Sequence, residues 1–492
     1  MAASTRPNVL LITTDQQRYD CVGANGNPLI RTPHLDRLAA EGVRFEHCYV
    51  QNPVCMPSRA SLITGRYCQN HGVRKNGTPL DPQQPNLAHA LLAAGYHTAS
   101  IGKIHLIPHW GRDYDQPHPS LEYGFRTMLN ADEPGCYRDA YLRWVEREHP
   151  ECLEAVRAPL PVPSGASIPP GYVVTPGGRG LFDGRRLEAP PEVSHSGWVA
   201  TQSIRFLEAR AARARSGDEP FFLHAGIYAP HPPLFAPPPY DTLYDPSKMP
   251  LPVRRLDEMD DKPAHFRAAA RPHREVPDER WRRAKAFYYG MVSLADAQIG
   301  RLLGALDGLG LAETTIVVFT SDHGEALGDH YVTGKGPTNY DCIVRVPLLV
   351  RWPAGGLSRG RVVGGLVEHV DVCPTLLEAA GVPAYSGVKG ASLLPLARGA
   401  VDRGRPDVLI EFRDVKTGFS VKTLRSAEYK YTRSRRGGAT EEALFDLEAD
   451  PHEFRNAAPD PAYAPVIQQF RSRLLDRLQD AEDDLPQPIS AW

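Results

Sequence analysis

The chain has 492 residues, 42% apolar and 23% charged, with a formal net charge of −2. That balance suits a folded, water-soluble protein and leaves no basic surface for nucleic acid or an anionic membrane. The length exceeds one simple core, so a large domain and a smaller one are expected.

The opening MAASTRPNVLLITTD holds only a short apolar run, Val9 to Ile12, which reads as a buried strand rather than a signal peptide. No other stretch is apolar for long enough to span a bilayer, and a cytoplasmic location is expected. Eight cysteines (Cys21, Cys48, Cys55, Cys68, Cys136, Cys152, Cys342, Cys373) lie far apart without CxxC pairs, so neither a zinc site nor a disulfide framework is indicated.

In chain order, the apolar run 8–13 ends abruptly in Thr14-Asp15-Gln16, as a fully buried strand does. A helical pattern follows at 33–41. Pro53-Val54-Cys55 then leads into Ser58 to Thr64, closed by Gly65. Pro57 and Ser58 suit a first helical turn and Gly65 a stop. Such a helix start points free N–H groups at an anion. Helical patterns recur at 85–94, 197–213 and 278–309. Between them, 221–227 runs into Tyr228-Ala229-Pro230-His231, and 315–320 ends in Ser321-Asp322-His323-Gly324. Proline-rich stretches at 155–195 and 228–275 read as long ordered loops roofing a pocket. Past about residue 380 the strand-like segments 408–412, 418–423 and 428–433 precede a helix at 462–480.

Alternating strands and helices predict a doubly wound, mainly parallel α/β domain over 1–380, with a small antiparallel sheet plus helix over 381–492. Ligands bind beyond the carboxyl ends of such strands, so polar clusters far apart in sequence can meet. Asp15, Gln16, Asp322 and His323 then bring two carboxylates, an amide oxygen and an imidazole to two strand ends. That set suits a hard divalent cation such as calcium or magnesium, and the imidazole also tolerates manganese. A lone strand-end Asp is commonly only a turn cap; two such ends in a chain that also carries Cys55-x-Pro57-Ser58-Arg59 make coincidence a poor explanation.

Cys55-Met56-Pro57-Ser58-Arg59, continuing to Leu62-Ile63-Thr64-Gly65-Arg66, resembles the signature of the formylglycine-dependent sulfatases. Gly102-Lys103-Ile104-His105 resembles that family's second signature. Arg345-Val346-Pro347-Leu348 and Leu444-Phe445-Asp446-Leu447 extend the likeness, which runs from Asn8 to about Asn456. The resemblance implies the alkaline phosphatase superfamily fold and hydrolysis of a sulfate monoester, small-molecule or saccharide. It implies that an activating enzyme oxidises Cys55 to formylglycine, and that Asp15, Gln16, Cys55, Asp322 and His323 hold one metal ion, calcium first. Arg59 would favour the ionised nucleophile, and Lys103 and Lys335 would hold the sulfate oxygens. His105 would take the second proton of the hydrated aldehyde, while His231 and Lys335 would serve the leaving oxygen. Asn76 falls where relatives contact substrate, although an Asn before Gly77 equally suits a turn. Gln16 and His323 depart from the acid and Asn of many arylsulfatases. That pair also occurs in phosphonate monoester and phosphodiester hydrolases, the nearest alternative, which tend to lack the Gly-Lys-x-His element. A catalytically silent binding protein of the same fold is the alternative from another class. Arg179, Arg185 and Arg186 read as solvated charge or as a grip on an acidic sugar. The sequence leaves the leaving group and the oligomeric state open, a homo-oligomer included.

Overall fold

A computed structural model describes residues 6–109, 118–158 and 180–482. Its strands are β1 (Asn8–Asp15), β2 (Val43–Tyr49), β3 (His97–Gly102), β4 (Thr127–Asn130), β5 (Arg185–Arg186), β6 (Phe221–Pro230), β7 (Phe235–Ala236), β8 (Thr315–Ser321), β9 (Arg345–Arg351), β10 (Arg361–Glu368), β11 (Val408–Asp414), β12 (Phe419–Arg425), β13 (Tyr429–Arg436) and β14 (Ala439–Asp446). Eight of them form one sheet in the order β10-β2-β9-β8-β1-β6-β3-β4. Every neighbour pair in it is parallel except those of β9, which runs antiparallel to β2 and β8.

β1 lies near the middle and is buried throughout, because both faces of the sheet are covered. Its alternation assigns the faces. Leu10 and Ile12 join a core with the helices His195–Ser216 and Asp278–Gly308. Val9 and Leu11 join the opposite core with the helices Cys55–Thr64, Leu87–Ala93 and Val372–Ala379. The expected doubly wound architecture is therefore present.

The small sheet β11-β12-β13-β14 is antiparallel, and its Leu409, Leu424, Tyr431 and Leu444 pack on Phe470 and Leu474 of the helix Ala464–Asp480. Ile410 and Phe445, from the same strands, belong to the core of the large sheet. All eight cysteines are free thiols. No helix among the described residues is long and apolar enough to cross a membrane.

Candidate active site

The parallel register of β1 and β8 sets Thr14 opposite Ser321, so Asp15 and Asp322 leave the sheet side by side. Gln16 turns out of the strand with φ of 68°, a left-handed conformation that costs a non-glycine residue about 1–3 kcal/mol. Its amide N–H donates to Asp322 Oδ1 at 3.0 Å. The helix Cys55–Thr64 begins at Cys55 itself, which puts Pro57 and Ser58 in its first turn as expected, and it ends on Gly65 with φ of 65°. Cys55 thus sits in the first turn, 1% exposed, facing the strand ends.

Four groups converge there. Ligand atoms of Asp15, Cys55, Asp322 and His323 all lie within 4.8 Å of one another. Cys55 Sγ is 3.3 Å from His323 Nε2 and 3.9 Å from Asp15 Oδ1. His323 Nδ1 lies 2.9 Å from the Gly324 carbonyl, which can only accept, so Nδ1 carries the proton and Nε2 turns its lone pair inward. Burial also lowers the pKa of this imidazole, which keeps it neutral.

The Lys335 ammonium lies among the same donors, 2.7 Å from Cys55 Sγ and 3.0 Å from both His323 Nε2 and Gln16 Oε1. One cation touching an amide oxygen, an imidazole nitrogen and residue 55 shows that these lone pairs share a focus. With the two carboxylates beside them, the donor set fits a hard divalent ion.

Arg59, one helical turn after Cys55, locks the carboxylates. Its Nε donates to Asp322 Oδ2 at 2.8 Å, one Nη to Asp15 Oδ2 at 3.3 Å, and the other to the Lys103 carbonyl at 2.7 Å. Burial alone would raise the Asp15 carboxyl, but Lys103, His231, Lys335 and Arg59 hold it well below the ordinary carboxylate range. Asp322 is likewise lowered, against burial, chiefly by Arg59.

Lys103 follows β3 directly. Gly102, at φ of 99°, permits this, since a Cβ there would collide with the Gly226 carbonyl on β6. The wholly buried Lys103 ammonium lies 2.9 Å from Asp15 Oδ2 and 3.5 Å from Glu133 Oε1, and above the Tyr228 ring. Burial disfavours its charge, yet Asp15 and Glu133 raise its pKa above the usual lysine value.

His105 is also buried, with φ of 53°. Its amide N–H donates to Asp132 Oδ1 at 2.9 Å, while neither ring nitrogen has a hydrogen-bond partner among the described residues. Burial first, then Lys103 and His109, lowers its pKa well below that of free imidazole.

His231, just past β6, is half-buried with Nδ1 on the Pro232 carbonyl at 2.5 Å. Asn76 is exposed, and its Oδ1 accepts the free Met56 N–H of the Cys55 helix at 3.0 Å. At least that oxygen acts on the helix start, not on a ligand.

Glu325, Glu133, Tyr228 and Asp132 also belong to this constellation and were not read from the sequence. Tyr228 donates to Glu133 Oε2 at 3.2 Å and to the Pro232 carbonyl at 2.6 Å. His330 lies apart, stacked 3.8 Å from the Tyr340 ring and bonded to Glu258 at 2.6 Å. Arg185 and Arg186 are exposed on β5, the former over Phe235 and the latter paired with Glu188; Arg179 lies outside the described residues.

A mixed sheet with strand-end carboxylates gathered around a buried helix-start residue and a guanidinium defines a hydrolase of the alkaline phosphatase superfamily. The family model described as Sulfatase matches residues 7–382, and that described as "N-sulphoglucosamine sulphohydrolase, C-terminal" matches 334–480. The chain belongs to the sulfatase family and is an enzyme of the sulfuric ester hydrolase class.

It is 33% identical to the "Multifunctional alkaline phosphatase superfamily protein PehA" of Trinickia caryophylli, over 98% of this chain and 97% of that one. Against an arylsulfatase of Clostridium perfringens it is 31% identical, over 97% and 95%. The phosphonate monoester hydrolase of Agrobacterium radiobacter shares the fold with a TM-score of 0.78 and 30% identity, over 96% of each chain.

Proposed function

We propose that the enzyme hydrolyses a sulfate monoester, small-molecule or saccharide, to an alcohol and inorganic sulfate, with residue 55 in its formylglycine form. The observation that carries this reading is buried Lys103, whose carbonyl accepts from Arg59, followed two residues on by buried His105, whose ring has no hydrogen-bond partner among the described residues. A sulfate needs the cation, and release of sulfate needs a base.

Converted by an activating enzyme, residue 55 would supply a hydrated aldehyde, with one hydroxyl to accept the sulfuryl group and a second whose deprotonation would expel sulfate. A divalent ion held by Asp15, Gln16, Asp322, His323 and residue 55, calcium first with magnesium or manganese as alternatives, supplies the positive charge that lowers a hydroxyl's pKa. Arg59 fixes both carboxylates and adds its own charge. Lys103 and Lys335 neutralise sulfate oxygens. Lys335, touching Sγ, also favours an ionised oxygen at residue 55. His105, held neutral, takes the proton of the second hydroxyl. His231 or Lys335 gives a proton to the departing alcohol oxygen. Asn76 steadies the helix start through Met56 and lies on the exposed side where substrate would enter.

A second reading, phosphonate monoester or phosphodiester hydrolysis, draws on Gln16 and His323 in the donor set and on the likeness to the Agrobacterium enzyme. Aryl sulfate and aryl phosphonate monoester, assayed on one preparation whose Cys55 conversion is measured by peptide mass spectrometry, decide between them. The sulfate is expected to turn over faster. A much faster phosphonate reverses the assignment, and inactivity toward both at full conversion favours a silent binding protein.

A further inference from the structure

Glu325 lies two residues past His323 and is wholly buried. Its Oε1 accepts from the Leu327 amide at 3.0 Å and from the Gly334 amide, and its Oε2 accepts from Gln16 Nε2. The main chain is pinned as well. Its N–H donates to the Cys342 carbonyl at 3.1 Å, and its carbonyl accepts from Arg18 at 3.2 Å.

The geometry points to Glu325 as the positioning residue that turns the Gln16 amide so that its oxygen, not its NH2, faces the cation site, and that anchors the loop carrying Lys335. This rests on the metal reading above. Glu325 Oε1 is taken up by two backbone N–H donors and Oε2 by the Gln16 side-chain NH2, so the donor end of the amide is fixed toward Glu325. The amide is planar, which turns Gln16 Oε1 the opposite way, to where the Lys335 ammonium now sits 3.0 Å off. Without that partner the two ends of the amide are nearly equal in shape, and half of the choice would present a partial positive charge to a cation. The left-handed backbone at Gln16 strengthens the need, because no regular strand geometry aims this side chain. The Gly334 contact adds a second function. It holds the residue before Lys335, so one carboxylate sets both an amide ligand and an ammonium.

The test is an exchange of partners. In Glu325→Gln the new amide keeps its oxygen on Leu327 and Gly334 and directs NH2 at Gln16, which must then reverse. Gln16→Glu alone sets two carboxylates face to face. Gln16→Glu combined with Glu325→Gln restores one donor against one acceptor and leaves an oxygen toward the ion. Calorimetric titration of metal-free protein with Ca2+, together with the Ca2+-induced rise in melting temperature, reads the outcome without turnover. Glu325→Gln should weaken Ca2+ binding about 10- to 100-fold, the usual effect of losing an outer partner of a ligand, and the exchange should recover most of it. Gln16→Glu alone adds a carboxylate that attracts the ion, so it is read by a lower melting temperature in the absence of Ca2+. Wild-type Ca2+ affinity in Glu325→Gln overturns the inference. So does an exchange that folds normally and binds no better than Glu325→Gln. A wild-type protein that binds none of Ca2+, Mg2+ or Mn2+ overturns the metal reading itself, and this inference with it.

Discussion

Arg59→Ala tests how the two strand-end carboxylates are held. The guanidinium is 3% exposed and makes three hydrogen bonds of 2.7 to 3.3 Å, two of them to Asp322 and Asp15. Asp15 keeps Lys103 at 2.9 Å when Arg59 is removed, so Asp322 bears most of the loss. Removing one partner of a buried ion pair costs about 3–5 kcal/mol, because the other charge stays buried and uncompensated. With Lys103 and Lys335 sharing the burden, the lower end, about 3 kcal/mol at pH 7, is expected. The deficit is one of positive charge, so calcium should restore more stability to the variant than it adds to the wild type. Urea unfolding midpoints with and without calcium measure both quantities. The pH dependence has a definite sign. Asp15 and Asp322 are depressed in the folded state, so they contribute stability above about pH 4, the unfolded carboxyl range, that is lost as pH falls further. Part of that contribution is missing in the variant, and the two curves should converge in acid. A loss below about 1 kcal/mol, or an equal calcium increment in both proteins, refutes the account of Arg59 as their clamp.

Cys55→Ser offers one hydroxyl in place of two, so it should release a single equivalent of alcohol per chain, keep a sulfuryl group detectable on the peptide around residue 55, and then stop. Sustained turnover by that variant would contradict the two-hydroxyl cycle. Burial holds His71, His195, His224 and His369 neutral, with pKa values pushed down to about 3. Each therefore stabilises the fold above the unfolded value near 6.5 and loses that contribution as pH falls toward 3, about 1.4 kcal/mol per pH unit and histidine. The melting temperature should drop steeply from pH 6.5 to 5, and a flat profile across that interval would refute it.

The strand ends were legible because each is an apolar run that stops on a polar residue. Asp15, His231 and Asp322 announce themselves that way, and Gly65 marks the end of the Cys55 helix. β2 was not legible because the alternation Val43-Arg44-Phe45-Glu46 is short and breaks at His47-Cys48, where its pairing with β9 shifts register, and Gly364-Gly365 break the pattern of β10 where its register shifts. Glu325, Glu133 and Tyr228 carry no local signal at all. A lone acid in a loop reads as surface and a strand-end tyrosine as packing, and only the approach of Gln16 or Lys103 from distant segments makes them part of a site. Lys335 was assigned to sulfate and the leaving oxygen, but spacing alone could not show that its ammonium also touches Sγ and the His323 ring.

Residue 55 opens a helix whose ten residues are all buried. If its thiol is to become an aldehyde, the oxidising catalyst has to reach an extended, accessible peptide, which the finished molecule no longer offers. On that reading conversion would race with folding, and chains that fold first would keep the thiol. Specific activity of a preparation would then record how that race ended during synthesis.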